Sequence, residues 1–391
     1  MTAEAPITVC LGSGGVGKTT LAAAWAIARA QRGERVVVLA IDPARRLATT
    51  LGLDDTDAHA DGGNESEREN DQSEPGEDPQ PTPALGTAAL GNDPQLVPGP
   101  WPGELWAAML DPRNTLETLL RRHADPDQFE RLVANPLFAT VTNSLSGTNE
   151  YMAAEKLHEL HGDPRFDHVV VDTPPSRHAI DFLDSPERLM RFVDNRLYRT
   201  VLAPKGLLRP LTNAAQLVFG RAARLVGAEL VNDVIRLFRD LGTLDDGFRQ
   251  RAGETAELLA GPACRYALIT SPRAEPMRES RWIAERLAER SRPLDVVIVN
   301  RLTPFGRAET VDPLEDADRA RGADPAVAAA LRANWEELTA LAERENRLVS
   351  DIMRDLPAGI EPILLSERTE PLGALADLIE LAAAISEPAE A

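Results

Sequence analysis

Cysteine is almost absent from the sequence, since Cys10 and Cys264 are its only two cysteines in 391 residues. Two cysteines cannot build a disulfide framework or a cysteine-rich metal site within one chain, and this scarcity is typical of a reducing compartment. Long apolar runs are missing too, because no stretch approaches the roughly 20 residues that a membrane helix needs. The N-terminus has no basic segment before an apolar one. These absences predict a soluble cytoplasmic protein with no stable membrane insertion.

Lysine is also scarce, and the 62 acidic residues outnumber the 42 lysines and arginines. Lysine occurs only at Lys18, Lys156 and Lys205, and the formal net charge is −20. A nucleic-acid backbone requires a basic face, so this balance argues against nucleic-acid binding. The charge is uneven, because residues 54–97 hold 12 acidic residues and a single basic one, Arg68.

Residues 54–100 form a segment that is acidic and rich in proline, glycine, serine and asparagine. Its first half has almost no apolar residues, so it cannot bury enough surface to order itself. The composition therefore predicts a disordered insertion over 54–100. A regulatory loop and a tolerated surface insertion are both open interpretations.

The rest of the chain alternates short apolar runs with helical patterns, which predicts a doubly wound, mostly parallel α/β sheet with flanking helices. The predicted strands are Ile7–Leu11, Arg35–Ile41, Leu105–Leu110, His168–Val171, Tyr266–Thr270, Val296–Val299 and Ile360–Leu365. Residues 1–53 and 101–196 would form the first part of a core. Residues 256–391, with a helical segment at 323–355, would form the second part. Between them, residues 197–255 read as a helical subdomain with one apolar face per helix.

The segment Gly12-Ser13-Gly14-Gly15-Val16-Gly17-Lys18-Thr19 matches the phosphate-loop pattern G-x-x-x-x-G-K-[ST] between a predicted strand and a predicted helix. Glycines let successive N–H groups point at phosphate oxygens, and the helix presents its positive end to the same anion. Lys18 would reach the β- and γ-phosphates, and the Thr19 hydroxyl would ligate Mg²⁺. The pattern therefore predicts an ATP and Mg²⁺ site from Gly12 to Thr19, to which we add the next residue, Thr20.

Two aspartates follow predicted strands, Asp42 after the second strand and Asp172 after the strand that ends at Val171. In open α/β sheets ligands bind at the carboxyl ends of the strands, so both should lie beside the phosphate loop. Asp172 would hold Mg²⁺ through water. Asp42, which would also face the metal through water, can orient or deprotonate the attacking water. The structural alternative for each is a helix N-cap.

At these residues the sequence resembles the family of the arsenite-pump ATPase ArsA and of the guided-entry factor that targets tail-anchored membrane proteins. The shared marks are the G-G-V-G-K-T loop, Asp42-Pro43-Ala44, Asp172-Thr173-x-Pro175 with His178, Gly147-x-x-Glu150, Leu110-Asp111-Pro112 and Asn300. The resemblance spans nearly the whole chain except residues 54–100.

The resemblance implies the deviant P-loop fold of dimeric Mg²⁺-dependent ATPases whose two nucleotide sites face each other. It also implies that Asn300 reads the adenine edge and that the segment around Pro362 covers the adenine. Residues 197–248 would be a helical subdomain that forms a hydrophobic client groove in some members. Without the resemblance, Asn300 is equally a turn residue, and those helices are ordinary packing.

Three departures from the family are visible. Ser13 stands where the family carries a lysine that reaches the partner's ATP, so this chain cannot donate that charge. No Cys-x-x-Cys pair is present for a dimer zinc, and the cysteine triad that binds metalloid is missing. We expect Cys10 to be a core residue. The missing cation would come in cis from Arg45, Arg46 or Arg177, or in trans from a related chain; slow hydrolysis is the remaining alternative.

The sequence therefore favours an ATP-hydrolysing ATPase that couples dimer rearrangement to a partner. It would form a homodimer, or a heterodimer with a related ATPase chain, and act on a membrane protein or a hydrophobic client. A nucleotide-gated scaffold with little hydrolysis and a chaperone for hydrophobic membrane-protein segments are the alternatives. A membrane-positioning ATPase of the MinD or ParA type is disfavoured, because residues 372–385 contain no lysine or arginine.

Overall fold

The computed structural model describes residues 6–41, 47, 50–51, 90–136, 138, 147–194, 245–292, 294–304, 325–357, 359–368 and 375–386. Within them the chain begins with strand β1 (Ile7–Gly12), helix α1 (Lys18–Gln31) and strand β2 (Arg35–Ala40). All six residues of β1 are buried, which explains why this strand reads as a continuous apolar run. The predicted βαβ unit is confirmed.

The other strands are β3 (Gln95–Val97), β4 (Glu104–Met109), β5 (His168–Asp172), β6 (Cys264–Thr270), β7 (Leu294–Leu302) and β8 (Pro362–Ser366). They join β1 and β2 in one sheet of eight described strands, in the order β3-β4-β2-β5-β1-β6-β7-β8. Every pairing is parallel except that of β3 with β4. The predicted doubly wound, mostly parallel sheet is therefore confirmed, and each of the seven predicted strands is present.

Helices cover both faces of this sheet. They are α2 (Pro112–His123), α3 (Pro126–Val133), α4 (Thr148–His161), α5 (Arg177–Val193), α6 (Asp245–Ala260), α7 (Ala274–Glu289), α8 (Pro325–Asp355) and α9 (Leu375–Ser386). Alternate strand residues point to opposite faces, so Val37 and Leu39 join one buried cluster while Val36 and Val38 join the other. Helices α1 and α9 pack together over the second cluster.

The last part of the predicted disordered insertion is ordered. Residues 90–100 are described, and β3 pairs antiparallel with β4 from Gln95 opposite Ala107 to Val97 opposite Leu105. The prediction of disorder is wrong for these residues, because Leu90 and Val97 bury their side chains against the core. Residues 54–89, the larger part of the predicted insertion, lie outside the described residues.

The helical subdomain predicted at 197–255 also lies outside the described residues, except for its end. Residues 245–255 belong to α6, which continues to Ala260 and packs on α5 and α4. The predicted boundary at 255 therefore falls inside a helix. The helical segment predicted at 323–355 contains α8. No helix in the described part of the chain is long and apolar enough to cross a membrane.

Candidate nucleotide-binding site

The predicted phosphate loop joins β1 to α1, and two of its glycines are required by close packing. A Cβ atom at Gly12 would lie 2.1 Å from the carbonyl oxygen of Ile269, in the neighbouring strand β6. Gly17 has φ +95°, and a Cβ there would lie 2.7 Å from Nδ2 of Asn300. The loop thus presses against the carboxyl ends of β6 and β7, while Gly14 and Gly15 are exposed at its tip. Only glycine fits at positions 12 and 17 without displacing these neighbours.

Lys18 is held over this loop by backbone oxygens. Its Nζ donates to the carbonyl oxygen of Gly12 at 3.0 Å and to that of Ser13 at 2.7 Å. The side chain is 8% exposed. These contacts fix the ammonium group above the loop, where it can meet an anion in the cradle.

The start of α1 favours an anion for a second reason. Its N-cap, Gly17, makes no side-chain capping bond, and the first turn holds no acidic residue. The positive end of the helix dipole is therefore not offset by a carboxylate of the helix's own first turn. Thr19 and Thr20 lie in this turn and are partly exposed, so the predicted Mg²⁺ ligand Thr19 is at the mouth of the loop.

Asp172 ends β5, the strand next to β1, and its Cα is in register with that of Cys10. The side chain is 3% exposed. Burial raises the pKa of the Cys10 thiol, the Asp172 carboxylate raises it further, and the Lys18 ammonium opposes both effects. The strand register of Asp172 with Cys10, and the bonds of Lys18 to the Gly12 and Ser13 carbonyls, place both charges at the same edge of the sheet. Asp172 therefore lies at the end of β1 that leads into the phosphate loop, and its role in holding Mg²⁺ stays a prediction.

The segment after Asp172 is tied directly to the phosphate loop. Thr173 donates its hydroxyl to the carbonyl oxygen of Cys10 at 2.6 Å, and the N–H of Ser176 donates to that of Gly12 at 3.1 Å. Ser176 adopts the unusual φ of +37° and precedes α5. Its hydroxyl donates to Glu279 of α7 at 2.5 Å. A movement of this segment would therefore shift both the phosphate loop and α7, because it is hydrogen-bonded to each of them.

Asn300 contacts the phosphate loop from β7. Its side-chain Nδ2 donates to the carbonyl oxygen of Val16 at 2.9 Å. This bond braces the loop, a role that sequence reasoning missed, because the two residues lie 284 positions apart. Reading of the adenine by Asn300 stays a prediction.

Pro362, predicted near the adenine, begins β8, where it pairs with Val297 of β7. Since β8 is three strands from β1 in the sheet, Pro362 lies about 14 Å from the strand that leads into the loop. Its proposed role therefore depends on the nucleotide extending across β6 and β7. Asp42, Arg45 and Arg46 lie outside the described residues.

The family mark Gly147-x-x-Glu150 starts helix α4, and Gly147 has φ +98° at its N-cap. Glu150 Oε1 lies 3.8 Å from Nδ1 of His178, an ion pair when the histidine is protonated. The backbone oxygen of Glu150 also accepts from the hydroxyl of Ser185. This mark therefore joins α4 to α5, the helix that follows Asp172. The exposed Arg177, a predicted source of the missing cation, starts α5.

Both cysteines are buried core residues. Burial raises the pKa of both thiols, that of Cys264 to about 12. Protonated, buried thiols are poor ligands for a metalloid or metal ion, which agrees with the expectation that Cys10 is a core residue. No group of three or more histidine, cysteine or acidic side chains forms a metal site within the described ranges.

Mg²⁺ does not require such a cluster, because it is held by one or two protein oxygens, waters and the substrate phosphates. The donors at this edge, the Thr19 hydroxyl and the Asp172 carboxylate, are hard oxygen ligands of the kind that Mg²⁺ takes. The residues present therefore fit a phosphate-bound Mg²⁺.

The doubly wound sheet, the lysine-bearing loop and the buried aspartate on the next strand define a P-loop nucleotide-binding protein. The family model of the anion-transporting ATPases matches residues 6–61 and 87–321, which is most of the chain. The chain belongs to this ATPase family.

Individual relatives are distant. An arsenical pump-driving ATPase of Acidiphilium multivorum is 27% identical over 199 residues, which cover 49% of this chain and 27% of that protein. One from Escherichia coli is 27% identical over 196 residues, with the same coverage. A Mycobacterium tuberculosis protein is 47% identical over 51 residues, 13% of this chain and 12% of that protein. The matched region thus spans about a quarter of the pump-driving ATPases' length.

Proposed function

We propose that this chain binds ATP with Mg²⁺ at Gly12–Thr20 and hydrolyses it. The observation that carries the proposal is the placement of Lys18 and Asp172. The ammonium group sits on the loop carbonyls, and the buried carboxylate ends the strand beside it. A cation over a glycine cradle and an acid at the same sheet edge are what a metal-bound triphosphate requires.

Each residue would have a separate task. The loop N–H groups and the start of α1 bind the phosphates, and the Lys18 ammonium group neutralises the negative charge of the β- and γ-phosphates. Asp172 and Thr19 hold Mg²⁺, which supplies neutralisation of the phosphate charge when bound. Asp42 orients the attacking water and accepts its proton. The hydroxyl of Ser176 binds Glu279 of α7. Through this contact, loss of the γ-phosphate would move α7.

We propose further that the chain acts as a dimer and couples hydrolysis to a partner, as the resemblance to the family implies. Ser13 is 4% exposed and bears no charge, so it offers no cation to a partner's site. The cation for the transition state would then come from Arg177, Arg45 or Arg46, or from a related ATPase chain. The energy of hydrolysis would be passed to a membrane protein or a hydrophobic client.

The test is ATP binding and phosphate release by the purified chain, compared with Lys18→Ala. Loss of a charge-assisted contact to phosphate should weaken ATP binding by roughly tenfold to a hundredfold and abolish phosphate release. Calorimetry measures the binding, and a phosphate assay measures the turnover. Arg347→Ala is the matched control, because Arg347 is 65% exposed on α8 and pairs only one turn away with Glu343.

Equal ATP affinity in the native chain and in Lys18→Ala would contradict the proposal. A nucleotide-gated scaffold is the second candidate, favoured by the uncharged Ser13. It predicts tight ATP binding without phosphate release, and Asp42→Asn would leave partner binding unchanged. The same assays separate the two candidates.

A further inference from the structure

Three exposed arginines lie along the sheet edge that carries the phosphate loop. Arg177 starts α5 immediately after Ser176, whose N–H donates to the first carbonyl oxygen of the loop. Arg273 stands between the end of β6 and the start of α7, and Arg301 follows Asn300 near the end of β7. All three arginines are exposed. We call Arg177, Arg273 and Arg301 together the arginine rim.

The positive charge of the arginine rim is not neutralised within the described ranges, where none of its three members forms an ion pair. At the opposite edge of the sheet, by contrast, the exposed Arg35 pairs with Asp167 at 2.7 Å. Near the rim, Asp172 is only 3% exposed, and Glu279 already accepts a bond from a hydroxyl group. Glu275, in the first turn of α7, sets one exposed carboxylate against three exposed guanidinium groups. The rim is therefore a basic surface on an acidic chain.

The acidic segment 54–89 is joined to the fold at this same edge. The chain leaves the carboxyl end of β2 at Ile41, and Leu51 is the last described residue before the segment. It returns at Leu90, and the residue after Leu90 accepts from the N–H of Met109, which ends β4. Because β2 and β4 run parallel to β1, their carboxyl ends lie on the edge that carries the phosphate loop. Leu51 and Leu90 are buried in one apolar cluster, which fixes both ends of the segment.

The length of this connection is sufficient to reach the arginine rim. Residues 52–89 join the two anchoring leucines, and half of that length spans up to roughly 60 Å. Strands β5, β1, β6 and β7 follow β2 across the sheet, so the strand ends that carry the rim lie roughly 5 to 20 Å from the end of β2. A segment tethered so near a surface meets it at an effective concentration on the order of millimolar.

We propose that the acidic segment 54–89 binds the arginine rim of its own chain and competes there with the phosphates of ATP. The segment carries eleven acidic residues and a single arginine, and a guanidinium fork matches a carboxylate with two charge-assisted hydrogen bonds. The same guanidinium groups attract a triphosphate that enters the phosphate loop, so bound carboxylates weaken nucleotide binding. The competition rests on the proposed ATP site, whereas the contact between segment and rim does not.

The first test measures the contact without nucleotide. In a full-length neutralised chain, the eleven acidic residues of segment 54–89 are replaced by the corresponding amides, and a synthetic peptide of native residues 54–89 is titrated into it by calorimetry at about 0.15 M ionic strength. We expect saturable binding that weakens roughly tenfold in Arg273→Gln/Arg301→Gln, because charge-assisted bonds are lost. The control Arg347→Gln/Arg354→Gln removes the same charge from the exposed face of α8 and should leave peptide binding unchanged.

The second test measures the competition. At the same ionic strength, a non-hydrolysable ATP analogue should bind the neutralised chain roughly tenfold more tightly than the native chain. When both chains also carry Arg273→Gln/Arg301→Gln, the neutralisation should change the affinity by less than roughly twofold. General repulsion between the acidic segment and the nucleotide would instead give the same gain with and without the two arginines, and that result would overturn the competition.

A peptide that does not bind the neutralised chain, or that binds equally well without Arg273 and Arg301, would overturn the contact itself. Light scattering tests the other occupant of the rim. A dimer mass that the native chain shows and the neutralised chain loses would assign the segment to the rim of a second copy and overturn binding within one chain. If the peptide binds the rim while no chain binds the ATP analogue, the contact is supported and the proposed ATP site is what fails.

Discussion

At the scale of single residues, Gly17 offers a sharp test of the phosphate loop. An alanine there would need φ +95° and would place its Cβ 2.7 Å from the Asn300 amide. Because both the backbone and the neighbour oppose it, we expect Gly17→Ala to reduce ATP affinity by roughly a hundredfold. Binding of a fluorescent ATP analogue measures the loss.

The matched control is Gly33→Ala, after α1. Gly33 has a similar φ of +89°, but a Cβ there meets nothing within 4 Å. That variant should lose roughly 1 kcal/mol of stability and keep its ATP affinity. Equal nucleotide affinities in the two variants would show that crowding against Asn300 plays no part in shaping the loop.

Asn300 itself can be tested by comparing bases. Asn300→Asp replaces the donor to the Val16 carbonyl with an acceptor, which leaves two oxygens facing each other. If the residue only braces the loop, ATP and GTP affinities should fall by the same factor, roughly tenfold. If it also reads the adenine, as the resemblance implies, ATP should lose more than GTP. Calorimetry with both nucleotides measures the ratio, and unchanged affinity for both would exclude either role.

The loop residues could be predicted because their spacing carries the chemistry, and local sequence also placed Asp172 at the end of its strand. The contacts from Asn300 to Val16 and from Ser176 to Glu279 could not be predicted. Each joins residues more than 100 positions apart, which depends on strand order and helix packing. No local pattern marks Glu279 as different from any other polar residue of an amphipathic helix.

At the scale of secondary-structure elements, a buried ion pair fastens α6 to α4. Arg251 donates to Glu155 at 2.7 Å, and Glu155 is 2% exposed. Burial raises the pKa of Glu155, and Arg251 opposes that rise. Arg251→Ala would leave a buried carboxylate with less compensation, so we expect a loss of about 3 kcal/mol in the free energy of unfolding at neutral pH.

This loss should depend on pH. A glutamate whose pKa is raised by folding binds more protons in the folded chain, so its ionisation reduces stability as pH rises from the ordinary glutamate range. Without Arg251 that pKa rises further, and urea denaturation should show a larger deficit at about pH 8 than at about pH 5. Adding Glu155→Gln should remove the dependence. A deficit that is equal at both pH values would mean that Arg251 acts through packing alone.

Among the strands, length and burial separate what could be predicted from what could not. The seven predicted strands appear in the sequence as apolar runs, whereas Gln95–Val97 is short, follows an acidic segment and exposes half of Leu96. This strand exists because β4 offers it an edge to pair with.

The predicted domain boundary at residue 255 falls inside helix α6 for a related reason. Helix α6 belongs to the core because it packs on α5, and composition does not reveal which neighbour a helix chooses.

At the scale of the whole molecule, charge bears on the choice between a homodimer and a heterodimer. Two copies of a chain with net charge −20 repel each other. If the ATP-bound chain self-associates, salt should strengthen the dimer, since the screening length falls from about 30 Å at 0.01 M to about 8 Å at 0.15 M ionic strength. A heterodimer with a basic related chain would weaken over the same range. Light scattering with a non-hydrolysable ATP analogue measures the mass.

Residues 54–89 carry about half of the net negative charge, so deleting them should flatten the salt dependence of a homodimer. Lys18→Ala is the control for nucleotide dependence and should keep the mass of the nucleotide-free chain. A monomer mass with the ATP analogue at every salt concentration would contradict self-association. It would require another chain to supply the cation that Ser13 lacks, or Arg177, Arg45 or Arg46 to supply it in cis. Phosphate release by the isolated chain decides between these two, because only the second permits turnover without a partner.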